Sequence, residues 1–533
     1  MCHVPSHASP ENNAAGESLL IPPGNGVILT GQEARMQALG SKGAPMGDAQ
    51  LLEELQRIVG ADYVRHRPID LMVYEYDGSV DGAVDTARPF AVVLPKTTEQ
   101  VAAVVRTAYK AGLPVVARGA GTGLSGGAVA QQGGIIIALT RMDRIIEVSR
   151  QDRTALVEPG VINLELSEDV KDQGLFFAPD PSSQKACTIG GNVAENSGGP
   201  HCLKYGVTTN HILGLEVVLV DGSVVWTDCA RDGYGGLDLT AALVGSEGML
   251  GIVTKVLVRL TVIPSSTSVM LAAFGSMDAA SDAVTEIIAA GNLPAALEMM
   301  DNLTIQAVEP AYHAGYPMDA GAVLLIEMDG HEADVQESAR EVEALCHTAG
   351  ASLFRQATDI AERNLLWKGR KMALAAMGRL APNYYLHDTV VPRSQLTTTL
   401  TAVNAISKDY KLPIANVFHA GDGNLHPLML FDRRQKGDIE RVLEASHDLL
   451  HECVRLGGTL SGEHGIGTEK REFMPLVYSD DDLRAMAGLK NAFDPEQRLN
   501  PEKVFPKGYM CGDVRALAQN FDHHAKVHGI VPV

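Results

Sequence analysis

Hydrophobic and polar positions take up a regular pattern at Ala49, where AQLLEELQRIVG has the spacing of an amphipathic helix. The apolar run FAVVLP, residues 90–95, then reads as a buried strand. TTEQVAAVVRTAYKAG reads as a helix, with Thr97 and Gln100 spaced for a capping box and Gly112 as its stop. PVVAR returns as a second strand, so the segment is a β-α-β unit that runs into RGAGTGLSGG. Between Ile135 and Leu260, short β-rich runs (GGIIIALT, ALVEPG, LGLEVVLVDGSVV, GIVTKVLVRL) alternate with loops rich in Gly, Asn and Ser. After Pro264 to Ser268 the pattern changes to strand-like VMLAAF and AVLLIEM alternating with helical SDAVTEIIAAG and ADVQESAREVEALCHTAG. The expected fold class is α+β, with a β-rich domain over 49–263 and a domain of sheet and covering helices over 264–508. Residues 1–48 lack apolar periodicity and read as a disordered tail, and 509–533 as a second tail.

Composition narrows the possibilities. With 533 residues, 65 acidic against 44 basic side chains and a formal charge of −21, the chain has the wrong sign for a nucleic acid or anionic-lipid partner. Seven cysteines (Cys2, Cys187, Cys202, Cys229, Cys346, Cys453, Cys511) are scattered without a C-x-x-C pair, a reduced pattern that carries no iron–sulfur motif. No 20-residue apolar run and no leader pattern is visible, so no membrane insertion is expected and the location reads as cytoplasmic.

Gly121, Gly123 and Gly126 satisfy G-x-G-x-x-G after a strand, which raises a nicotinamide-binding fold. That fold needs a helix opening inside the motif, and only GAVAQQGG separates it from IIIALT. The loop is better read as consecutive backbone N–H groups wrapping a pyrophosphate. APDPSSQKACTIGGNVAENSGG (178–199) and VGSEGMLGIVT (244–254) add two loops of the same character. Either the three serve one large ligand or each is a tight turn of a β-rich domain.

In LPIANVFHAGDGNLHPLML, Asp422-Gly423 is a two-residue hairpin signal, and pairing across it sets His419 directly opposite His426. Two imidazoles so placed are half of a metal site or a paired, solvent-facing couple. SGEHGIG offers a carboxylate third ligand, with glycines beside Glu463 and His464. Glu444, His447 and His451 fall at helical steps and read as a solvated stripe. His523, His524 and His528 lie in the C-terminal tail. Lys368, Arg370 and Lys371 form either a basic edge or an anion clamp.

PKTTEQV, RGAGTGLSGG, PDPSSQ, IGGNVAENSGG, HCLKYG and GSEGMLGI resemble the FAD-binding domain of the vanillyl-alcohol oxidase/p-cresol methylhydroxylase (PCMH) superfamily. The resemblance implies that Arg118, Gly119, Ala120, Gly121, Thr122, Gly123, Leu124, Ser125, Gly126 and Gly127 hold the FAD pyrophosphate. It also implies that Pro181, Ser182, Ser183, Gly190, Gly191, Asn192, Gly248, Gly251 and Ile252 line the rest of the cofactor. Members that bind FAD covalently use a His in the first loop; Thr122 stands there and no His lies between Arg118 and Gly127, so non-covalent FAD is expected.

ALEMMDN, LWKGRK, YYLHDTVVPR, ANVFHAGDGNLHPLMLFD, GGTLSGEHGIGTEK and AFDPEQRLNPEKVFP extend the likeness from about Ala49 to Pro506. They resemble the FAD-linked oxidases of D-2-hydroxy acids, among them the flavin subunits of bacterial glycolate oxidases. That likeness implies an α+β substrate (cap) domain with an antiparallel sheet, a divalent metal, Zn or Mn, on His419, His426 and Glu463, His464 as catalytic base, and Arg370 as the clamp on the substrate carboxylate. Relatives acting on D-2-hydroxyglutarate carry a Lys ahead of the Asp in the LHDTVVP segment and an Asn two residues after the second metal His. Those positions here are Leu386 and Leu428, which favours a small monocarboxylate.

The implied chemistry is oxidation of a small 2-hydroxy acid, glycolate to glyoxylate, by hydride or proton-first removal at C2. The implied partners are a second flavin subunit and an iron–sulfur subunit, with peripheral attachment to the inner membrane only through them. A stand-alone D-lactate dehydrogenase and a non-catalytic FAD-binding support subunit are the alternatives.

Overall fold

In the computed structural model the described residues are 47–79, 87–227, 237–507 and 509. The tails expected over 1–48 and 509–533 lie almost wholly outside them, as do Cys2, Cys229, Cys511 and the three C-terminal histidines. The first sheet contains β1 (Val64–Arg65), β2 (Ala91–Val93), β3 (Val115–Arg118) and β4 (Ile135–Ala138) in the order β1-β2-β4-β3. β2 and β3 both run parallel to β4, so the predicted β-α-β unit exists with a later strand between its arms. Its helix, Thr98–Ala111, starts where Thr97 Oγ1 accepts from the Gln100 N–H at 3.3 Å and stops at Gly112 in a left-handed conformation. The Gln100 side chain closes on the N–H of Lys96, one residue before the expected position.

Residues 119–134, after β3, contain bends and turns and no helix, which removes the nicotinamide-type geometry. The second sheet is antiparallel. It joins β5 (Ile145–Ser149), β6 (Thr154–Val157), β8 (Ile212–Val218), β9 (Val224–Trp226) and β10 (Ile252–Arg259) in the order β5-β6-β10-β8-β9. β7 (Leu175–Phe176) pairs with β11 (Thr261–Val262) beside it.

The third sheet is antiparallel and nine-stranded. Its strands are β12 (Ser266–Phe274), β13 (Ala296–Asp301), β14 (Ala322–Gly330), β15 (Leu353–Gln356), β16 (Asn383–Leu386), β17 (Thr389–Val390), β18 (Ile414–His419), β19 (Asn424–Leu425) and β20 (Pro427–Phe431). The central path is β15-β12-β14-β13-β18-β19-β17, and β20 links β18 to β16. Successive side chains of a strand point to opposite faces, and both faces here are buried. Met270, Ala272, Leu297, Met299, Leu324 and Phe418 pack under helices Met277–Ala289, Glu332–Thr348 and Asp438–Arg455. Leu271, Ala296, Met300, Leu325, Ala415 and Val417 pack under helices Asn302–Tyr312 and Ile360–Lys371. Burial on both faces is why VMLAAF and AVLLIEM are continuous apolar runs rather than alternating ones.

The last described segment returns to the first two sheets. The Thr468 N–H donates to the Ser125 carbonyl, Leu499 bridges to Val115, Asn500 Nδ2 donates to the carbonyls of Gly127 and Glu247, and Lys503 Nζ donates to that of Val129. This return carries the loop bearing Glu463 and His464 between the third sheet and the glycine loop.

Candidate active site

Glu298 of β13 stands directly across from His419 of β18, on the face shared with Ala296, Met300, Ala415 and Val417. Glu298 Oε1 lies 2.8 Å from His419 Nδ1, and its Oε2 lies 2.6 Å from Arg370 Nη2, reached from helix Ile360–Lys371. All three are buried. Burial alone would raise the Glu298 pKa, but the Arg370 and His419 charges outweigh it and hold the carboxyl below its ordinary range. An unpaired carboxylate in this core would be prohibitive, so the two partners are what permit it. Lys368 and Lys371 are exposed while Arg370 is buried, which separates Arg370 from a basic surface edge. Its Nε has no protein partner among the described residues.

The hairpin register departs from the expectation. His419 pairs with Asn424, and Asn416 with Pro427, so the turn spans four residues, 420–423, and His426 sits two positions beyond the residue opposite His419. Gly423 (φ +80°) packs where a Cβ would meet the Val391 carbonyl at 2.3 Å, and the Gly421 N–H donates to the Leu297 carbonyl. These contacts with neighbouring strands widen the turn that local sequence alone would close in two residues. Because the offset is even, both imidazoles stay on one face, with ring centroids 5.1 Å apart.

Glu463 Oε1 lies 3.3 Å from His419 Nε2 and 3.2 Å from His426 Nε2. Burial pushes the Glu463 pKa up, and the two imidazoles more than reverse that, holding it well below the usual carboxylate range. Ligand atoms of His419, His426 and Glu463 all lie within 4.8 Å of one another. The other ring nitrogen of each His faces an acceptor, Glu298 for His419 and the His387 carbonyl at 3.2 Å for His426. Both Nε2 atoms are thereby turned toward Glu463, and each ring's other nitrogen is held as in metal-binding histidines. The three residues can hold a divalent cation.

The Glu463 loop is pinned from both ends. Buried Asp388 accepts from Ser461 Oγ at 2.7 Å and from the N–H groups of Gly462, Glu463 and His464 at 3.0, 3.1 and 2.9 Å, with Lys470 Nζ at 3.5 Å. Burial raises the Asp388 pKa, but His464, Lys470 and His426 bring it well below its ordinary range. Glu247 accepts from the N–H groups of Ile466 at 2.7 Å and Gly467 at 2.8 Å. Between these anchors the His464 ring stacks on His426, 5.1 Å between centroids at 8°. Burial, with the neighbouring His426 and Lys470, pulls the His464 pKa down to about 4 despite Asp388 and Glu463. It is therefore a neutral, proton-accepting imidazole at pH 7.

One cavity of about 480 Å³ joins the glycine loop to these residues. Gly119, Ala120, Gly121, Thr122, Gly123, Leu124, Gly127, Pro181, Ser182, Ser183, Gly191, Asn192 and Gly248 line one part, and Arg370, Lys371, Tyr384, Leu386, His426, Glu463 and His464 line the other. The remaining expected cofactor residues stand behind the lining. Arg118 braces the loop by donating to the Tyr76 and Ala128 carbonyls, and Ser125 and Gly126 abut Thr468. Gly190 abuts Pro159, Gly251 abuts Val217, and Ile252 opens β10 opposite Val218 in the sheet core. Small residues crowd the cavity wall where a phosphate could approach backbone N–H groups, so the lining fits a dinucleotide.

Glu298, Asp388 and Glu247 are the site residues that sequence reasoning missed. The signal was present: each is an acid inside or beside an apolar or glycine-rich run (ALEMMD, LHDTVV, GSEGML), where a carboxylate needs a partner. His447 and His451 bring their Nε2 atoms within 3.1 Å of each other on helix Asp438–Arg455, away from the cavity lining.

Residues 89–228 match the family described as FAD binding domain, and residues 263–504 match FAD linked oxidases, C-terminal domain. The chain is 45% identical over 460 residues to the glycolate oxidase subunit GlcD of Escherichia coli (strain K12), covering 86% of this chain and 92% of that one. It is 40% identical to the Bacillus subtilis (strain 168) protein of the same name, covering 85% and 96%. A probable mitochondrial D-lactate dehydrogenase of Danio rerio is 34% identical, covering 80% and 86%. The fold matches solved p-cresol methylhydroxylase with substrate bound at a TM-score of 0.74 and 18% identity, over 87% of this chain and 98% of that one.

Proposed function

The chain belongs to the FAD-linked oxidases, and from that premise we propose that it is the flavin subunit of a glycolate oxidase, converting glycolate to glyoxylate. The observation that carries the proposal is the cavity in which the FAD-binding loops meet Arg370, His464, His426 and Glu463, the last two clustered with His419 behind the wall. Bound FAD, held without a covalent link, supplies the two-electron acceptor, and a Zn or Mn ion on the cluster supplies positive charge beside the substrate hydroxyl.

The protein side of the chemistry follows from position. Arg370, fixed by Glu298, offers its remaining N–H groups to the substrate carboxylate. His464 Nε2, 3.7 Å from Glu463 Oε1, is the group that would accept the substrate proton during the two-electron oxidation that bound FAD would supply. Asp388 and Glu247 keep that imidazole in place through the backbone of its loop. Leu386 lines the cavity, with its cross-strand partner Leu428 buried in the core, so this position offers a second carboxylate no cation. This favours a monocarboxylate of glycolate or lactate size. Glycolate is preferred over D-lactate because the GlcD relatives share 40–45% identity and the Danio rerio D-lactate dehydrogenase 34%.

With no C-x-x-C pair in the chain, electrons leave through other subunits, a second flavin protein and an iron–sulfur protein. The residues assigned here as FAD contacts, metal ligands, clamp and base, and the division into 49–263 and 264–508, belong to the same proposal. A panel of glycolate, D-lactate, L-lactate and D-2-hydroxyglutarate, assayed on the purified protein with an artificial acceptor, tests it. The expected order places glycolate first and D-2-hydroxyglutarate last. Full turnover of D-lactate without any partner favours the D-lactate dehydrogenase reading, and no turnover of any acid favours the support-subunit reading.

A further inference from the structure

Glu195, at the end of helix Ile189–Glu195, lines the cavity opposite the glycine loop. Its carboxyl fills the space beside two glycines: a Cβ at Gly127 would meet Oε1 at 2.6 Å and one at Gly465 would meet Oε2 at 2.3 Å. Oε2 is buried and has no hydrogen-bond partner among the described residues. The groups that face it from the surrounding elements are two more acids, Glu247 and Asp77, and two lysines, Lys470 and Lys503.

Each of those groups is engaged elsewhere. Glu247 accepts from Ile466 and Gly467 N–H groups and Asp77 Oδ1 from the Ser79 N–H. Lys503 Nζ donates to the Val129 carbonyl and Lys470 pairs with Asp388. Among the described residues Glu195 Oε2 has no donor and both facing lysines are held by other acceptors, and an anionic dinucleotide entering beside Gly123 and Gly127 would add to the repulsion from Glu247 and Asp77.

We propose that Glu195 is carried as the neutral acid and donates its O–H to a phosphoryl oxygen of the dinucleotide, so that cofactor retention weakens as pH rises. The proposal rests on the FAD reading above. Burial, followed by the Glu247 and Asp77 charges, raises the Glu195 pKa well above its ordinary value, in keeping with this arrangement. The bound state prefers the protonated side chain, so affinity is full at low pH and is lost as pH passes upward through the pKa of the cofactor-free protein.

The test is FAD dissociation from the purified holoprotein, followed by recovery of flavin fluorescence between pH 6 and 9. The wild-type dissociation constant is expected to rise by up to about tenfold per pH unit once Glu195 ionises. Glu195→Gln, which keeps an N–H donor, is expected to hold FAD with a flat profile. A flat wild-type profile overturns the proposal and needs no variant. A Glu195→Gln slope equal to that of wild type overturns it by assigning the proton elsewhere. Affinity that rises with pH and requires added Mg²⁺ overturns it in favour of a cation shared by the acids. A protein that takes up no FAD at any pH overturns the FAD reading as well, and its lack of colour separates that failure from the others.

Discussion

At the scale of single residues, Glu298 is the pivot of the proposed site, since one carboxylate fixes both Arg370 and His419. Removing one partner of a buried ionic network costs about 3–5 kcal/mol because the others are left uncompensated. Glu298→Gln is predicted to lower the unfolding free energy measurably and to cut kcat/KM by about a hundredfold, in line with loss of an outer-shell partner. Steady-state kinetics and denaturant unfolding on one preparation check this; a variant with wild-type kcat/KM would remove Glu298 from the mechanism. His464→Ala is predicted to abolish turnover while leaving bound flavin spectrally intact, and unchanged turnover would return the chain to a support role.

Elements explain which parts were legible in the sequence. The helix Thr98–Ala111 and the apolar runs that became β12 and β14 were readable because cap, stop and burial are local properties. The His419 to His426 register was not, because the turn is widened by bonds to Leu297 of β13 and to Val391 just past β17. The two imidazoles still share a face, since an even slip preserves it. Glu298 was visible only as an acid in an apolar strand; its pairing with Arg370 needs the helix Ile360–Lys371 folded onto that face.

Gly423→Ala, forced toward the Val391 carbonyl with φ positive, is predicted to destabilise the fold by about 1–3 kcal/mol and to impair activity further by shifting His426. Thermal unfolding and kinetics together check it, and an unperturbed variant would show that the turn does not set His426. The segment His201 to Tyr205 ties the first half to β14. His201 Nδ1 lies 2.8 Å from Asp180 and Nε2 3.4 Å from Glu327, and Lys204 and Tyr205 both reach Asp329. Burial would lower the His201 pKa, but the Asp180 and Glu327 carboxylates push it up to about 10. A raised folded-state value stabilises fully below the ordinary 6.5 and is lost as pH rises through about 10. His201→Gln is therefore predicted to be less stable than wild type near pH 6, with the gap closing toward pH 10. A gap independent of pH would assign His201 a packing role only.

For the whole molecule, the net charge of −21 offers no general attraction for an anionic substrate, so Arg370 and Lys371 at the cavity must supply it locally. The returning C-terminal segment joins the Glu463 loop to the glycine loop, which accounts for one cavity rather than two. No helix among the described residues is long and apolar enough to cross a membrane. The most direct test is anaerobic addition of glycolate to the flavin-loaded protein while its visible absorption is recorded. The account predicts bleaching of the flavin band in proportion to glyoxylate formed, in the absence of any other subunit. A yellow protein whose spectrum glycolate leaves unchanged would contradict it.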